Sequence, residues 1–194
     1  MTGLIKSVLA KFKEKEADLK CLLGKVIDRD RCAFSRLYKA TSNNVYGLAM
    51  KILKNSADAE EVAYDAYLQI WNTASRYDFQ KSSPLGWIMM ITRSRSIDKM
   101  RKESKSRRIE DIDNYKIETP AKTPEALTSL SEQQQIVHRA MAKLSDDERK
   151  IIELAYFKGL TQSQISKQLD KPLGTVKTII RRSLISLRQD IIAD

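Results

Sequence analysis

Two stretches of the chain carry the same helix-start signature, and they constrain everything around them. Ser145-Asp146-Asp147-Glu148 and Thr161-Gln162-Ser163-Gln164 each place a hydroxyl three residues before a carboxylate or amide. At that spacing the two side chains satisfy each other's unpaired helix-end amides. The first predicted helix carries Ile151, Ile152, Leu154, Ala155 and Phe157 and stops at Gly159, a residue type that readily takes the left-handed conformation found at helix ends. The second is short, with Ile165 and Leu169 inward. Asp170-Lys171-Pro172-Leu173-Gly174 then breaks the chain, and a third helix is expected from about Thr175. Its apolar stripe reads Val176, Ile180, Leu184, Leu187 and Ile191.

Beside that stripe Lys177, Thr178, Arg181, Arg182 and Arg188 share another face, and from Lys167 to Arg188 six Lys/Arg stand against one acid. A basic stripe is most often a solvated face. Here capping, turn and stripe agree on a helix-turn-helix, whose second helix suits the major groove. Arginines there can bond guanine edges bidentately while lysines neutralise phosphates.

Leu144-Ser-Asp-Asp-Glu-Arg149, Gly159-Leu-Thr161, Ile165 and Pro172-Leu-Gly-Thr-Val-Lys177 resemble region four of bacterial RNA polymerase sigma factors of the extracytoplasmic-function group. The resemblance implies reading of the minus-thirty-five promoter element, with Thr175, Lys177, Thr178, Arg181 and Arg182 as its contact residues. Where the family often has an arginine after the Lys-Thr pair, this chain has Ile179.

The charge balance agrees with a polyanionic partner. Against 25 Asp/Glu stand 35 Lys/Arg, a formal charge of +10 with a pI near 9.6. The 194 residues, 42% of them hydrophobic, allow one domain or two small ones. Cys21 and Cys32 have neither metal spacing nor a disulfide framework, which suits reduced thiols in a cytoplasm. No apolar run approaches a membrane span. Lysines break any signal-peptide core between Met1 and Lys15, which reads as a terminal helix packing on the domain or fraying, with an interfacial helix on lipid as the alternative.

From Leu19 onward the pattern is helical, without strand alternation, so an all-α fold is expected. Leu22, Leu23, Val26 and Ile27 form one apolar face, and Asp30 opens a helix that ends at Lys54-Asn55-Ser56. The next helix repeats Ala59, Val62, Ala63, Ala66, Tyr67 and Ile70 at helical spacing, with Asp58, Glu61 and Asp65 on another side. Acids in a first helical turn favour the positive end of the helix dipole. Asp65, two turns in, needs another reason, and an acidic face on a cationic protein is a candidate dock for a basic partner. The stretch is similar to the family's polymerase-binding helix, which implies contacts to core RNA polymerase by Asp58, Glu60, Glu61, Asp65 and Leu68. Tyr64 stands where a glutamine is common.

A polar loop with Tyr77, Phe79 and Lys81 precedes Pro84, and the helix after it turns basic: Arg93 to Arg108 holds eight Lys/Arg and two acids. Aromatics beside a cationic helix suit capture of single-stranded bases. Trp87 alone is better read as core. Ser83-Pro-Leu-Gly-Trp-Ile88, Arg93-Ser-Arg-Ser-Ile-Asp98 and Arg101 look like the family's minus-ten segment. The resemblance implies that Tyr77, Phe79, Lys81, Arg93, Ser94, Arg95, Lys99 and Arg101 hold the non-template strand. Ser94 replaces a frequent asparagine.

Residues 103–123 lose periodicity and read as a flexible linker, and helix resumes at Thr123-Pro-Glu with a capping-box spacing at Ser131 to Gln134. His138 is read as a surface or boundary residue. The expected organisation is two all-α domains: an N-terminal extension at 1–18, region two at 19–102, the linker, and region four at 124–194. The resemblance implies a sigma factor that brings core RNA polymerase to promoters and helps open them, with an anti-sigma factor as a further partner. No catalysis, metal or cofactor is expected, because no nucleotide fingerprint or ligand cluster is present. An operator-binding regulator is the competing reading; it needs a sensory N-terminal domain, which the acidic-then-basic N-terminal half does not resemble.

Overall fold

The computed structural model describes the backbone of residues 2–107 and 138–193, and the side chains of 14–103 and 138–190. Every regular element among these residues is helical, and the chain divides into two compact units, residues 1–110 and 111–194.

In the first unit, α1 (Thr2–Ile27), α2 (Arg31–Leu53), α3 (Ser56–Thr73) and α4 (Pro84–Arg107) form a bundle in which α2 packs against the other three. Leu23, Val26, Leu37, Val45, Ile70 and Ile88 are each 0% exposed at its centre. Burying such an aliphatic side chain stabilises a fold by about 1.5–3 kcal/mol. The ends of these helices are written in the sequence. Asp30 accepts from Cys32 N and Ala33 N at 2.7 and 3.0 Å, starting α2. Lys54 at φ 57 ends α2, and Asn55 caps Asp58 N at 3.2 Å to start α3. Arg29, itself at φ 65, donates to Trp71 O at 2.9 Å near the C-terminus of α3 and lies 5.4 Å from the Trp71 ring centre.

Residues 2–18 are part of α1 and run without a break into the buried Leu19, Leu22 and Leu23. The helix α4 continues through 103–107, the start of the stretch expected to be linker. The rest of that linker, and the expected helix start at Thr123 with its Ser131 cap, lie outside the described residues.

In the second unit, α5 (Asp146–Tyr156), α6 (Gln162–Gln168) and α7 (Leu173–Ala193) pack around Ile151, Leu154, Ile165 and Val176. Both expected capping boxes are formed, at Ser145/Glu148 and at Thr161/Gln164. Gly159 at φ 62 turns the chain so that Leu160 N–H reaches Leu154 O at 3.1 Å. Asp170 at φ 49 does the same service after α6, and Pro172 O accepts from Val176 N at 3.1 Å to begin α7. The third helix therefore starts at Leu173, two residues earlier than the sequence suggested, because Pro172 fits a helix start as well as it breaks one. Arg149 donates to Met141 O, Ala142 O and Leu144 O at 3.4, 3.4 and 3.1 Å, satisfying carbonyls at the end of the helical stretch 138–142.

The apolar stripe of α7 differs from its expected course. Val176 is buried and Ile179 and Ile180 pack on the core, but Leu184 is 51% exposed and Ser183 takes the inward place at 0%. A turn of helix advances by 3.6 residues, so a stripe continued in steps of four drifts off the buried line.

Candidate nucleic-acid interface

With its inner side closed against α5 and α6, α7 leaves Thr175, Lys177, Thr178, Arg181, Arg182 and Arg188 exposed. Thr178 and Arg181 lie on the side opposite Val176, so they are the outermost groups of the helix's first half. The Thr178 hydroxyl donates to Gly174 O at 2.9 Å, which keeps its acceptor lone pairs outward. Arg182 is different: its Nε and Nη2 both reach Glu148 Oε1, at 3.2 and 2.8 Å. Ile179, in place of a polar family residue, is half-buried against Ile151, Leu154 and Val176, so its apolar side chain is used in the core.

In the first unit, α3 presents two distinct edges. On one, Asp58, Glu61 and Asp65 meet α4: Lys99 Nζ is 3.2 Å from Asp58 Oδ1 and 2.5 Å from Glu61 Oε2, and Arg95 Nη1 is 3.8 Å from Asp65 Oδ2. Arg95 Nε also donates to Gln69 Oε1 at 2.7 Å. Both carboxylates hold the Lys99 ammonium above the usual lysine range, Glu61 contributing first and Asp58 second. The expectation of an acidic face and a separate basic face is therefore corrected. Arg95 and Lys99 lie on the side of α4 that faces α3, and opposite charges meet there instead of facing solvent apart.

On the other edge of α3, Glu60, Tyr64, Leu68 and Trp71 line a groove of about 850 Å³ whose far wall is Tyr38 and Tyr46 of α2. Tyr64 is 71% exposed and Leu68 48%. At its floor the Tyr67 hydroxyl lies 2.7 Å from Thr41 Oγ1, and burial pushes its pKa up to about 12. Glu60 therefore sits apart from Asp58, Glu61 and Asp65, and Leu68, seven residues after Glu61, stands between the groove and the acidic edge.

The loop before α4 also departs from expectation. Tyr77 is 6% exposed, its hydroxyl donates to Ser82 O, and its ring sits 5.2 Å from that of Trp87. It offers no free face for a base. Phe79, 43% exposed, rests edge-on against Tyr77 with centroids 4.7 Å apart, so the buried ring supports the outer one. Lys81 is exposed and 3.1 Å from Asp78. Beyond the apolar first half of α4, Ser94 and Arg101 are exposed and Arg93 half-exposed. Thr92 and Ser96, both 0% exposed, turn their hydroxyls to the carbonyls one turn back, at 2.9 Å each. Trp87 is half-buried on the core, and His138 is exposed.

Sequence reasoning passed over two residues of this site. Glu148 was read only as a helix cap, and its contact to Arg182 spans the fold. Its signal was the choice of a charged residue at a position that Gln164 fills with an amide in the second box. Arg149 was read only as part of a motif. Its three carbonyl partners precede it by five to eight residues, a pattern no helical period announces.

Comparison with known proteins supplies the lineage. The family description "Sigma-70 region 2" matches residues 37–106, and "Sigma-70, region 4" matches residues 140–189. The chain is 34% identical over 190 residues to the ECF RNA polymerase sigma factor SigK of Mycobacterium sp. (strain KMS), covering 97% of each chain. It is 34% identical over 173 residues to SigK of Mycobacterium tuberculosis (strain ATCC 25618 / H37Rv), covering 89% of this chain and 92% of that one. Among solved structures, SigE of Rhodobacter sphaeroides in complex with the anti-sigma ChrR is 30% identical, with a TM-score of 0.47 over 90% of this chain and 98% of that one. An operator-binding regulator is not favoured, since region two is matched as well as the helix-turn-helix. The chain belongs to the ECF RNA polymerase sigma factors, the proteins that bind RNA polymerase and direct promoter-specific transcription initiation.

Proposed function

We propose that this sigma factor works through three surfaces. The groove edge of α3, with Glu60 and Leu68 at its rim and Asp58, Glu61 and Asp65 behind it, docks core RNA polymerase. Phe79 and Lys81, with Arg93, Ser94, Arg95, Lys99 and Arg101 of α4, receive the unpaired non-template strand of the minus-ten element, and Tyr77 positions Phe79 for it. Thr175, Lys177, Thr178, Arg181 and Arg182 of α7 read the minus-thirty-five duplex. Region two then corresponds to residues 19–102, with 103–107 continuing its last helix α4, and region four to 124–194, with 1–18 as the N-terminal extension. The protein acts in the cytoplasm, without catalysis of its own, and an anti-sigma factor is a further partner.

The observation that supports this reading best is the exposed row Thr175, Lys177, Thr178 and Arg181 on a helix whose opposite side is closed by the core. Apolar packing fixes the helix, and the cationic row is left for a polyanion. Titrating labelled protein with core RNA polymerase tests the docking part: tight, saturable association that Leu68→Ala weakens is expected. No association with core enzyme would overturn it.

A further inference from the structure

Glu148 holds two jobs with its two oxygens. Oε2 accepts from Ser145 N and Oγ at 3.1 and 2.9 Å, closing the capping box of α5. Oε1 accepts from Arg182 Nε and Nη2, at 3.2 and 2.8 Å, on α7. The carboxylate is mostly enclosed, its side chain 15% exposed, whereas Arg182 is 70% exposed. An enclosed acid thus grips one edge of a guanidinium whose other edge faces water. Arginine is planar and its five N–H groups form a fixed fork, so holding Nε and one Nη2 hydrogen sets the direction of those that remain.

We propose that Glu148 is a positioning residue for DNA recognition: it fixes Arg182 so that the guanidinium's outer N–H groups are presented, already oriented, to acceptors on promoter DNA. This rests on the reading of α7 as the minus-thirty-five helix. An exposed arginine otherwise loses rotamer freedom when it binds, and a preorganised one has lost it already. The carboxylate also discriminates. It lies behind Arg182, where a phosphate without the intervening guanidinium would meet like charge, so the pair favours approach through the arginine.

The chain itself supplies the substitution that separates the two jobs. In the second box Gln164 Oε1 accepts from Thr161 N and Oγ1 at 2.8 and 3.0 Å, the same service that Glu148 Oε2 gives Ser145. Glu148→Gln therefore keeps the cap of α5 while removing the charge that grips Arg182. Full-length protein bound to core RNA polymerase is offered duplexes randomised through the minus-thirty-five segment, for wild type, Glu148→Gln, Arg182→Ala and the double variant. Unchanged thermal unfolding of Glu148→Gln, with about three- to tenfold weaker binding and relaxed preference at one position, is expected. Arg182→Ala should match or exceed that loss, and Glu148→Gln should cost nothing further in its background. Wild-type selectivity in Glu148→Gln, tighter binding, or losses that simply add in the double variant would overturn the proposal. No sequence selection by wild-type holoenzyme would overturn the reading of α7 itself, and this assignment with it.

Discussion

Lys99 of α4 lies 2.5 Å from Glu61 of α3, so a cation expected to face nucleic acid is held in the free chain by a carboxylate expected to face polymerase. Asp58, at 3.2 Å, shares the same ammonium. Charge reversal along this edge therefore acts on both surfaces together. Glu61→Lys with Asp65→Lys should weaken core association and also disturb promoter opening, because Lys99 keeps only Asp58 of its two α3 carboxylates and Arg95 loses Asp65. Glu60→Lys with Leu68→Ala should weaken core association alone. Core binding by fluorescence anisotropy and strand opening at saturating core enzyme separate the two; equal opening defects in both pairs would show that the edges are not distinct.

On α7, Arg181 and Lys177 are expected to differ in kind. Arg181→Ala should cost about 1–3 kcal/mol of minus-thirty-five affinity and relax one base position, as loss of a bidentate base contact does. Lys177→Ala should weaken all sequences evenly and flatten the salt dependence. Salt titrations on matched and mutated promoters check both, and even losses from Arg181→Ala would remove its base-reading role.

Ser183 offers a stability gain. Its hydroxyl is fully buried, and among the buried side-chain nitrogen and oxygen atoms of the described residues it is the one without a hydrogen-bond partner. Ser183→Ala removes a desolvated polar group and adds a better helix former, so stability should rise by about 1 kcal/mol. Denaturant unfolding reads the change; a loss of stability would mean that the hydroxyl is satisfied in solution.

The groove floor carries a pH signature. Tyr67 ionises near pH 12 in the folded chain because it is buried, against an ordinary value of 10. Between those values the unfolded chain gives up this proton and the folded chain keeps it, so stability should fall as pH rises through the window. Tyr67→Phe should remove that part of the slope, at a cost of about 1 kcal/mol at neutral pH for the hydrogen bond to Thr41. Unfolding midpoints measured against pH check the sign.

Local rules were legible in the sequence because they act over three or four residues. The Ser145 and Thr161 boxes, the Asp30 start and the Gly159 stop form as their spacing requires. Tyr77 was not legible as a buried residue, since an aromatic in a polar loop gives no periodicity from which burial can be read. Nor were the pairs Lys99–Glu61 and Arg182–Glu148, which join residues 38 and 34 positions apart. Charge counts along a segment show how many ions a face carries; only the packing of one helix on another decides which of them are already matched.

With core RNA polymerase, this chain selects promoters and opens them. Permanganate reactivity of thymines at the minus-ten element, on a promoter chosen by the holoenzyme, tests it most directly. Wild-type holoenzyme should make those thymines reactive, core enzyme alone should not, and Arg93→Ala with Phe79→Ala should bind core normally while losing most of the signal. A holoenzyme that binds the promoter yet leaves every thymine paired would contradict the account.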